Sequence, residues 1–191
     1  MQHLRNLCDK YNVVLIFDEV KTGFRLSNGG ARETYEVIPD ISTYAKSLGN
    51  GVPVAAFGGK SEVMNVIGGG SVAHAGTFGG NGVSMSAANA VLDILNEAPV
   101  LKELSIRGQK LKKGMDNILD EVGLPHQMCG HPNIQGFLIT EHKVEEVRDL
   151  AYSDDAMYEK IMDHMFDRGV WVENDPREPW FLCAAHTDEI I

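Results

Sequence analysis

Positive charge is scarce in this sequence. Its 17 lysines and arginines are outnumbered by 27 aspartates and glutamates, which gives the 191 residues a formal net charge of −10. A protein that binds nucleic acid usually presents a basic patch, whereas the basic residues here are scattered along the chain. The sequence therefore predicts no nucleic acid partner.

Cysteine is scarce as well. The three cysteines, Cys8, Cys129 and Cys183, are odd in number and widely spaced, which suits reduced thiols better than a disulfide framework. The first residues contain neither a basic segment nor a long apolar run, so we expect no signal peptide and no membrane span. Together these absences favour a cytoplasmic protein.

The most informative stretch of the chain lies between residues 13 and 46. An apolar run at 13–17 ends on Asp18, and a second apolar segment at 41–45 ends on Lys46. Such runs predict two buried strands. Ligands of a parallel α/β sheet bind beyond the carboxyl ends of its strands. We therefore expect the acid and the lysine to face a common cleft.

The first half of the chain has the pattern of an α/β domain. Residues 4–11 have helical apolar spacing and precede the first strand, and the apolar run at 52–57 predicts a third strand. A short helix is predicted at 61–66, and the glycine-dense segment 68–82 predicts a loop whose backbone can approach a ligand closely. A further helix is predicted from residue 83. Because a helix leads directly into the first strand, we expect the chain to begin in the middle of a strand-helix-strand unit.

A second domain is predicted after the composition changes near residues 97–99. Residues 100–122 have the apolar stripe of a long amphipathic helix. Beyond it the pattern predicts one helix and three short strands, at 155–168, 136–140, 170–172 and 180–184. The predicted fold class is α/β, with a three-stranded domain at 1–97 followed by a small α+β domain at 98–191.

Four segments follow the pattern of a known family. They are residues 15–25 (LIFDEVKTGFR), 45–53 (AKSLGNGVP), 76–81 (GTFGGN) and 180–187 (WFLCAAHT). These segments resemble the class III aminotransferase family, and the last most resembles glutamate-1-semialdehyde 2,1-aminomutases and their close aminotransferase relatives. The resemblance implies dependence on pyridoxal 5′-phosphate. It also implies a partial fold-type-I scaffold, with three strands of the large-domain sheet and a small C-terminal domain.

The resemblance gives the acid and the lysine specific roles. Lys46 would form the Schiff base with the cofactor, which requires a site that keeps its amine unprotonated. Asp18 would hold a proton on the pyridine nitrogen, so that the ring becomes the electron sink for a substrate carbanion. The pattern alone leaves a surface lysine and a turn aspartate as the alternatives. Lys21, a rival for the Schiff base, is interpreted as incidental because the resemblance implies that the family does not form its Schiff base with a lysine there.

Two further cofactor contacts are implied by the resemblance. Val20 would pack on the ring, since it faces the same way as Asp18 in an extended chain, whereas Glu19 points the other way and is interpreted as structural. Thr77 would donate its hydroxyl to the cofactor phosphate of the neighbouring subunit, which implies a homodimer. Gly82 stands where the family usually has proline, which loosens this loop.

Two residues near the C-terminus are candidates for substrate contacts. Glu178 matches a glutamate that approaches the substrate in the aminomutases, and Arg177 could meet a carboxylate; a surface location is the alternative for both. Three side chains of metal-ligand type occur close together, namely His126, Cys129 and His131. We expect no metal site there, because no second cluster completes a set of four ligands. The glycine segments 49–51 and 79–80 are not interpreted as a P-loop, because Lys46 precedes its glycines instead of following them.

Two functions remain open at this point. The resemblance implies a pyridoxal-phosphate-dependent aminomutase or aminotransferase that acts on a small amino or keto acid. The family's chains are much longer, however, and their N-terminal half, with the phosphate-binding loop and the aromatic residue stacked on the ring, has no counterpart here. The alternative is a catalytically incompetent fragment, or one half of a split enzyme whose partner chain supplies the missing half.

Overall fold

The computed structural model describes residues 1–68 and 71–191. It contains two compact units, Met1–Leu101 and Lys102–Ile191, which are described separately below. Among the helices of the described residues, none is both long enough and apolar enough to span a membrane.

The first unit is an α/β structure built on a three-stranded sheet. Its helices and strands are α1 (Gln2–Tyr11), β1 (Ile16–Asp18), α2 (Gly30–Thr34), β2 (Ile41–Tyr44), β3 (Ala56–Gly59), α3 (Ser61–Gly68) and α4 (Gly82–Glu97). The sheet order is β1-β2-β3, with β1 and β2 parallel and β3 antiparallel to β2. The three predicted strands are confirmed, although β3 begins at Ala56 rather than at residue 52.

One face of the sheet carries the apolar core of the first unit. Leu15 and Phe17 at β1 are buried and pack with Cys8 of α1 and with Val37. Ile16, which alternates with them, is 55% exposed. Because successive side chains of a strand point to opposite faces, the core covers only one face at β1.

A buried charge network lies at the amino ends of β1 and β2. The Asp40 carboxylate accepts hydrogen bonds from the Leu15 backbone N–H at 2.7 Å and from Arg5 Nη1 at 2.8 Å, and it pairs with Lys60 Nζ at 2.7 Å. The hydrogen bond from Leu15, together with those from Lys60 and Arg5, holds the pKa of Asp40 well below its usual range. The network ties α1 to the sheet, at the edge opposite Asp18.

The segment between β1 and β2 is more ordered than the sequence predicts. It contains α2, whose Ala31 and Arg32 backbone N–H groups donate to the Glu19 carboxylate at 2.9 and 3.1 Å. Glu19 is 1% exposed, which confirms its predicted structural role. Gly30 has a φ of 69°, and a Cβ there would lie 2.6 Å from Glu19 Oε2. The turn residues and charges at 22–40 predict a surface excursion, and the structure adds to it the short helix α2, held by a buried carboxylate.

The second unit is an antiparallel α+β structure. Its elements are α5 (Val100–Glu121), whose first two residues belong to the first unit, β4 (His126–His131), β5 (Ile134–Ile139), α6 (Asp155–Phe166) and β6 (Trp180–Phe181). The sheet order is β4-β5-β6 with every pair antiparallel. Its apolar core contains residues from α5, β5, α6 and β6, namely Leu119, Phe137, Ile139, Tyr158, Met162 and Trp180.

Two predictions for the second unit are corrected by the structure. Residues 170–172 do not form a strand, and they pair with no strand among the described residues. Trp171 in this apolar triplet is 86% exposed. The strand predicted at 180–184 is confirmed only at Trp180–Phe181. Strand β4 was not predicted from the sequence; its side chains are mostly half-buried because it lies at the sheet edge.

Candidate functional site

Asp18 is the last residue of β1 and its side chain is exposed. Its Oδ1 accepts hydrogen bonds from Thr43 Oγ1 at 3.2 Å and from the Val20 backbone N–H at 3.0 Å. Within residues 1–68 and 71–191, no donor is hydrogen-bonded to Oδ2. The carboxylate is thus oriented by one oxygen while the other remains available to a ligand.

Lys46 follows the carboxyl end of β2. The parallel register pairs Asp18 with Thr43, so the chain leaves both strands at the same edge of the sheet, with Asp18 at one strand end and Lys46 two residues beyond the other. The Lys46 side chain is exposed. An acid and an amine therefore follow neighbouring parallel strands at the edge where α/β sheets bind their ligands.

The backbone at Lys46 is strained. Its φ of 45° lies in the left-handed region, which few residues other than glycine adopt. The residue opens a 3₁₀ turn, Lys46–Leu48, in which Leu48 is buried and Ser47 Oγ donates to the Gly23 carbonyl at 2.7 Å. Strained conformations of this kind persist where surrounding contacts enforce them, and they cluster at functional sites.

The turn after Lys46 is closely packed. A Cβ at Gly49 would lie 2.2 Å from the Val52 carbonyl oxygen, so only glycine fits there. Farther along, Ser84 Oγ of α4 donates to the Pro53 carbonyl at 2.8 Å. These contacts hold the backbone that carries Lys46 in one path.

Val20 does not lie in an extended strand, contrary to the argument that paired it with Asp18. β1 ends at Asp18, and the Val20 backbone N–H bonds back to the Asp18 side chain at the start of a turn. Strand alternation therefore does not determine where the half-buried Val20 side chain points. Its contact with the ring remains a prediction from the resemblance.

Thr77 is exposed in the turn that precedes α4. The Gly79 backbone N–H donates to the Gly76 carbonyl at 2.9 Å, and Asn81 caps α4 by accepting from two backbone N–H groups. No hydrogen bond found among the described residues joins Thr77 to Asp18 or Lys46. The loop predicted at 68–82 is described only in part, because residues 69 and 70 lie outside the described residues.

Arg177 and Glu178 lie in the second unit, on an exposed segment between α6 and β6. Arg177 makes a two-pronged contact with Asp175, from Nε at 2.7 Å and Nη2 at 2.8 Å. The Arg177 side chain and backbone N–H lower the pKa of Asp175, which stays ionised. Glu178 lines a cleft of about 420 Å³ together with Trp171 and His186. The two predicted substrate residues are adjacent in the sequence, and the structure pairs the Arg177 guanidinium with Asp175.

The three side chains of metal-ligand type noted in the sequence, His126, Cys129 and His131, lie on β4. The His126 ring is close to two acceptors, with Nε2 3.0 Å from Asp116 Oδ1 and Nδ1 2.9 Å from the Leu124 carbonyl oxygen. His131 Nδ1 accepts from the Asn133 backbone N–H at 3.2 Å. In the part of the chain that the structure describes, no three His, Cys, Asp or Glu side chains are placed to hold a metal ion.

Residues 1–188 match the family model described as aminotransferase class-III. The chain is 38% identical over 189 residues to the glutamate-1-semialdehyde 2,1-aminomutase of Aquifex aeolicus (strain VF5), and the alignment covers 98% of this chain and 45% of that protein. The chain therefore spans less than half the length of this relative.

Solved structures show the same fold over almost the whole chain. A β-phenylalanine aminotransferase from Variovorax paradoxus gives a TM-score of 0.87 at 27% identity, covering 99% of this chain and 44% of that chain. The PLP internal aldimine form of the FumI protein from Sphingopyxis sp. MTA144 gives a TM-score of 0.83 at 25% identity, covering 97% and 42%. The predicted partial fold type I is confirmed by these similarities.

Proposed function

Because this chain belongs to the class III aminotransferase family, we propose that it serves a pyridoxal-phosphate-dependent aminotransferase or aminomutase acting on a small amino or keto acid. One observation supports this function above the others. Asp18 and Lys46 follow the carboxyl ends of neighbouring parallel strands and are exposed there. This is the edge at which a parallel α/β sheet binds a ligand.

The residues at this edge fit the cofactor. Thr43 and the Val20 N–H hold one Asp18 oxygen, which leaves the other to contact the pyridine nitrogen. When bound, pyridoxal phosphate supplies an electron sink for the charge that develops at the substrate Cα. Asp18 would keep a proton on the ring nitrogen through a charge-assisted hydrogen bond, about twice as strong as a neutral one.

Lys46 would bind the cofactor covalently through Nζ, as the Schiff-base lysine. The packed turn at 46–52 holds its backbone in a single path, so that the amine starts from a fixed position. Val20 would pack on the ring and Thr77 would bind the phosphate of the neighbouring subunit's cofactor, in a homodimer. In the second unit, Glu178 would approach the substrate and Arg177 would meet its carboxylate.

The two units then correspond to two parts of a longer fold. We propose that residues 1–97 form the C-terminal part of a large cofactor-binding domain and that residues 98–191 form the small C-terminal domain. The chain spans 45% of its aminomutase relative, and Ile16 and Leu4 of the first unit are exposed. These observations favour a chain that works with further polypeptide, either in a homodimer of longer chains or with a partner that supplies the missing half.

The Lys46 assignment is tested by borohydride trapping. Pyridoxal phosphate is added to the chain, alone and together with polypeptide that completes the family fold, and the reduced product is mapped by peptide mass spectrometry. We expect the label at Lys46, its loss in Lys46→Ala, and its retention in the matched control Lys21→Ala. A label that maps to Lys21 instead would refute the assignment.

A further inference from the structure

The segment that carries Arg177 and Glu178 is joined at both ends to one buried hydroxyl group. This segment, residues 173–180, is called the strap. Tyr158 of α6 donates its hydroxyl proton to the Glu173 carbonyl at 3.3 Å, and the same oxygen accepts from Trp180 Nε1 at 2.9 Å. A single side chain therefore contacts the first and last residues of the strap.

Tyr158 is well placed to hold the strap. It is 1% exposed, and its ring packs 5.2 Å from the Phe137 ring of β5, centroid to centroid. Burial raises the pKa of Tyr158, so the hydroxyl keeps its proton at neutral pH and remains a donor. A buried hydroxyl with both a donor and an acceptor partner satisfies its hydrogen-bonding capacity without water.

The middle of the strap is ordered by contacts within itself. The Glu178 backbone N–H donates to the Asp175 carbonyl at 3.0 Å, and the Arg177 backbone N–H donates to Asp175 Oδ1 at 2.9 Å. These bonds fix the turn at the middle of the strap. Trp180 is anchored by its pairing with Gln135 in the sheet. At the other end Val172 packs against the core, and the Tyr158 hydroxyl donates to the Glu173 carbonyl.

We propose that Tyr158 is a positioning residue for substrate binding. Its hydroxyl sets the path of the strap and thereby the places of Arg177 and Glu178. The inference rests on the proposed function, which assigns these two residues to the substrate. Tyr158 itself lies beneath the strap in the core and has no contact with the reacting atoms in this role.

The first measurement is amide hydrogen exchange on Tyr158→Phe, which keeps the ring and removes the hydroxyl. Loss of two hydrogen bonds is expected to accelerate exchange in residues 174–178 by roughly tenfold. Exchange in β5 should be unchanged. Tyr152→Phe is the matched control, because Tyr152 is 58% exposed.

Unchanged exchange in the strap, or equal acceleration throughout the second unit, would overturn the role of Tyr158. The second measurement is steady-state kinetics on the cofactor-loaded assembly with glutamate-1-semialdehyde. Tyr158→Phe and Glu178→Gln should each raise KM by about fivefold, with Tyr158→Phe leaving kcat within about twofold. A looser strap with an unchanged KM would refute positioning. A looser strap in an assembly whose wild type turns over neither glutamate-1-semialdehyde nor another small amino or keto acid would refute the proposed function instead, together with the substrate role of the strap.

Discussion

At the scale of single residues, the strain at Lys46 identifies a position where the backbone conformation is imposed by its neighbours. A left-handed φ costs an L-residue roughly 1–2 kcal/mol, and glycine avoids that cost. Ser47, Gly49 and Leu48 enforce the turn. Strained residues cluster at functional sites, so the conformation of Lys46 supports the proposal that it contacts the cofactor.

The strain gives a stability prediction that is independent of cofactor binding. Lys46→Gly should be more stable than Lys46→Ala by about 1 kcal/mol, because alanine keeps the Cβ that the φ of 45° disfavours. Urea unfolding of the cofactor-free protein measures the difference. Lys160, exposed in α6, is the matched control, since glycine should there be about 1 kcal/mol less stable than alanine. The same order at both positions would contradict the argument.

His126 makes the stability of the second unit depend on pH. Burial lowers the pKa of this histidine, but hydrogen bonds to Asp116 and the Leu124 carbonyl outweigh that effect and raise the pKa above the ordinary 6.5. Because the folded-state pKa is the higher one, the stabilisation is complete below about pH 6.5 and is lost as the pH rises through the folded-state value.

Burial lowers the pKa of His131 and so acts in the opposite direction, equally in wild type and variant. We therefore expect the free energy of unfolding of wild type, relative to that of His126→Gln, to fall as the pH rises from 6 towards 9. Urea unfolding at a series of pH values measures it. His164→Gln, on the exposed face of α6, should follow the wild-type curve. Parallel curves for His126→Gln and wild type would show that the Asp116 contact does not stabilise the folded state.

At the scale of elements, apolar runs predicted the strands that pack against a core. Leu15 and Phe17 alternate with exposed residues, yet the run was recognised because every residue in it is apolar. β4 escaped notice because its sequence, HQMCGH, is polar and it pairs only at the sheet edge. Trp171, in an apolar triplet, was wrongly predicted to lie in a strand, because sequence does not tell strand pairing from the lining of a cleft.

In the candidate site, too, some features were predictable from the sequence and others were not. Asp18 and Lys46 were predicted at strand ends from local pattern, and the parallel register places those ends at one edge of the sheet. The hydrogen bond from Thr43 to Asp18 depends on that register, which the sequence does not specify. Tyr158 lies 15 residues from its acceptor Glu173, and its position in the helix is that of an ordinary core residue. The sequence therefore contains no signal for this hydrogen bond.

The start of α4 provides a prediction for a whole element. Gly82 is its first residue, Asn81 before it has φ −56° and ψ 126°, and a Cβ at Gly82 would meet nothing within 4 Å. This backbone accepts proline, which fits the first helical position and needs an extended residue before it. No acceptor is found for the Gly82 N–H within the described residues.

Gly82→Pro should therefore stabilise the first unit by about 0.4–1 kcal/mol, chiefly by restricting the unfolded chain. Thermal unfolding measures the change as a higher Tm. Gly82→Ala is the intermediate control, and Ser86→Pro, inside the same helix, should destabilise strongly because it removes a helical hydrogen bond. A lower Tm for Gly82→Pro would show that the loop before α4 requires glycine.

At the scale of the whole molecule, the first unit leaves apolar surface uncovered. Ile16 is 55% exposed and Tyr11 of α1 is 65% exposed, while β1 lies at the edge of its sheet. Parallel sheets are normally covered on both faces, and open edges with bare apolar residues promote association. The chain also spans under half of its aminomutase relative. These features together favour a chain that functions within a larger assembly.

We expect the isolated chain to self-associate, to bind pyridoxal phosphate weakly, and to show no measurable transamination. Sedimentation velocity over a range of concentrations measures the association, which should decrease in Ile16→Lys because a charge on the uncovered face of an edge strand opposes pairing. Ile106→Lys, at a residue of α5 that is 66% exposed, is the matched control and should associate like wild type. A concentration-independent monomer with stoichiometric cofactor binding and turnover would instead show that the chain is complete in itself as an enzyme.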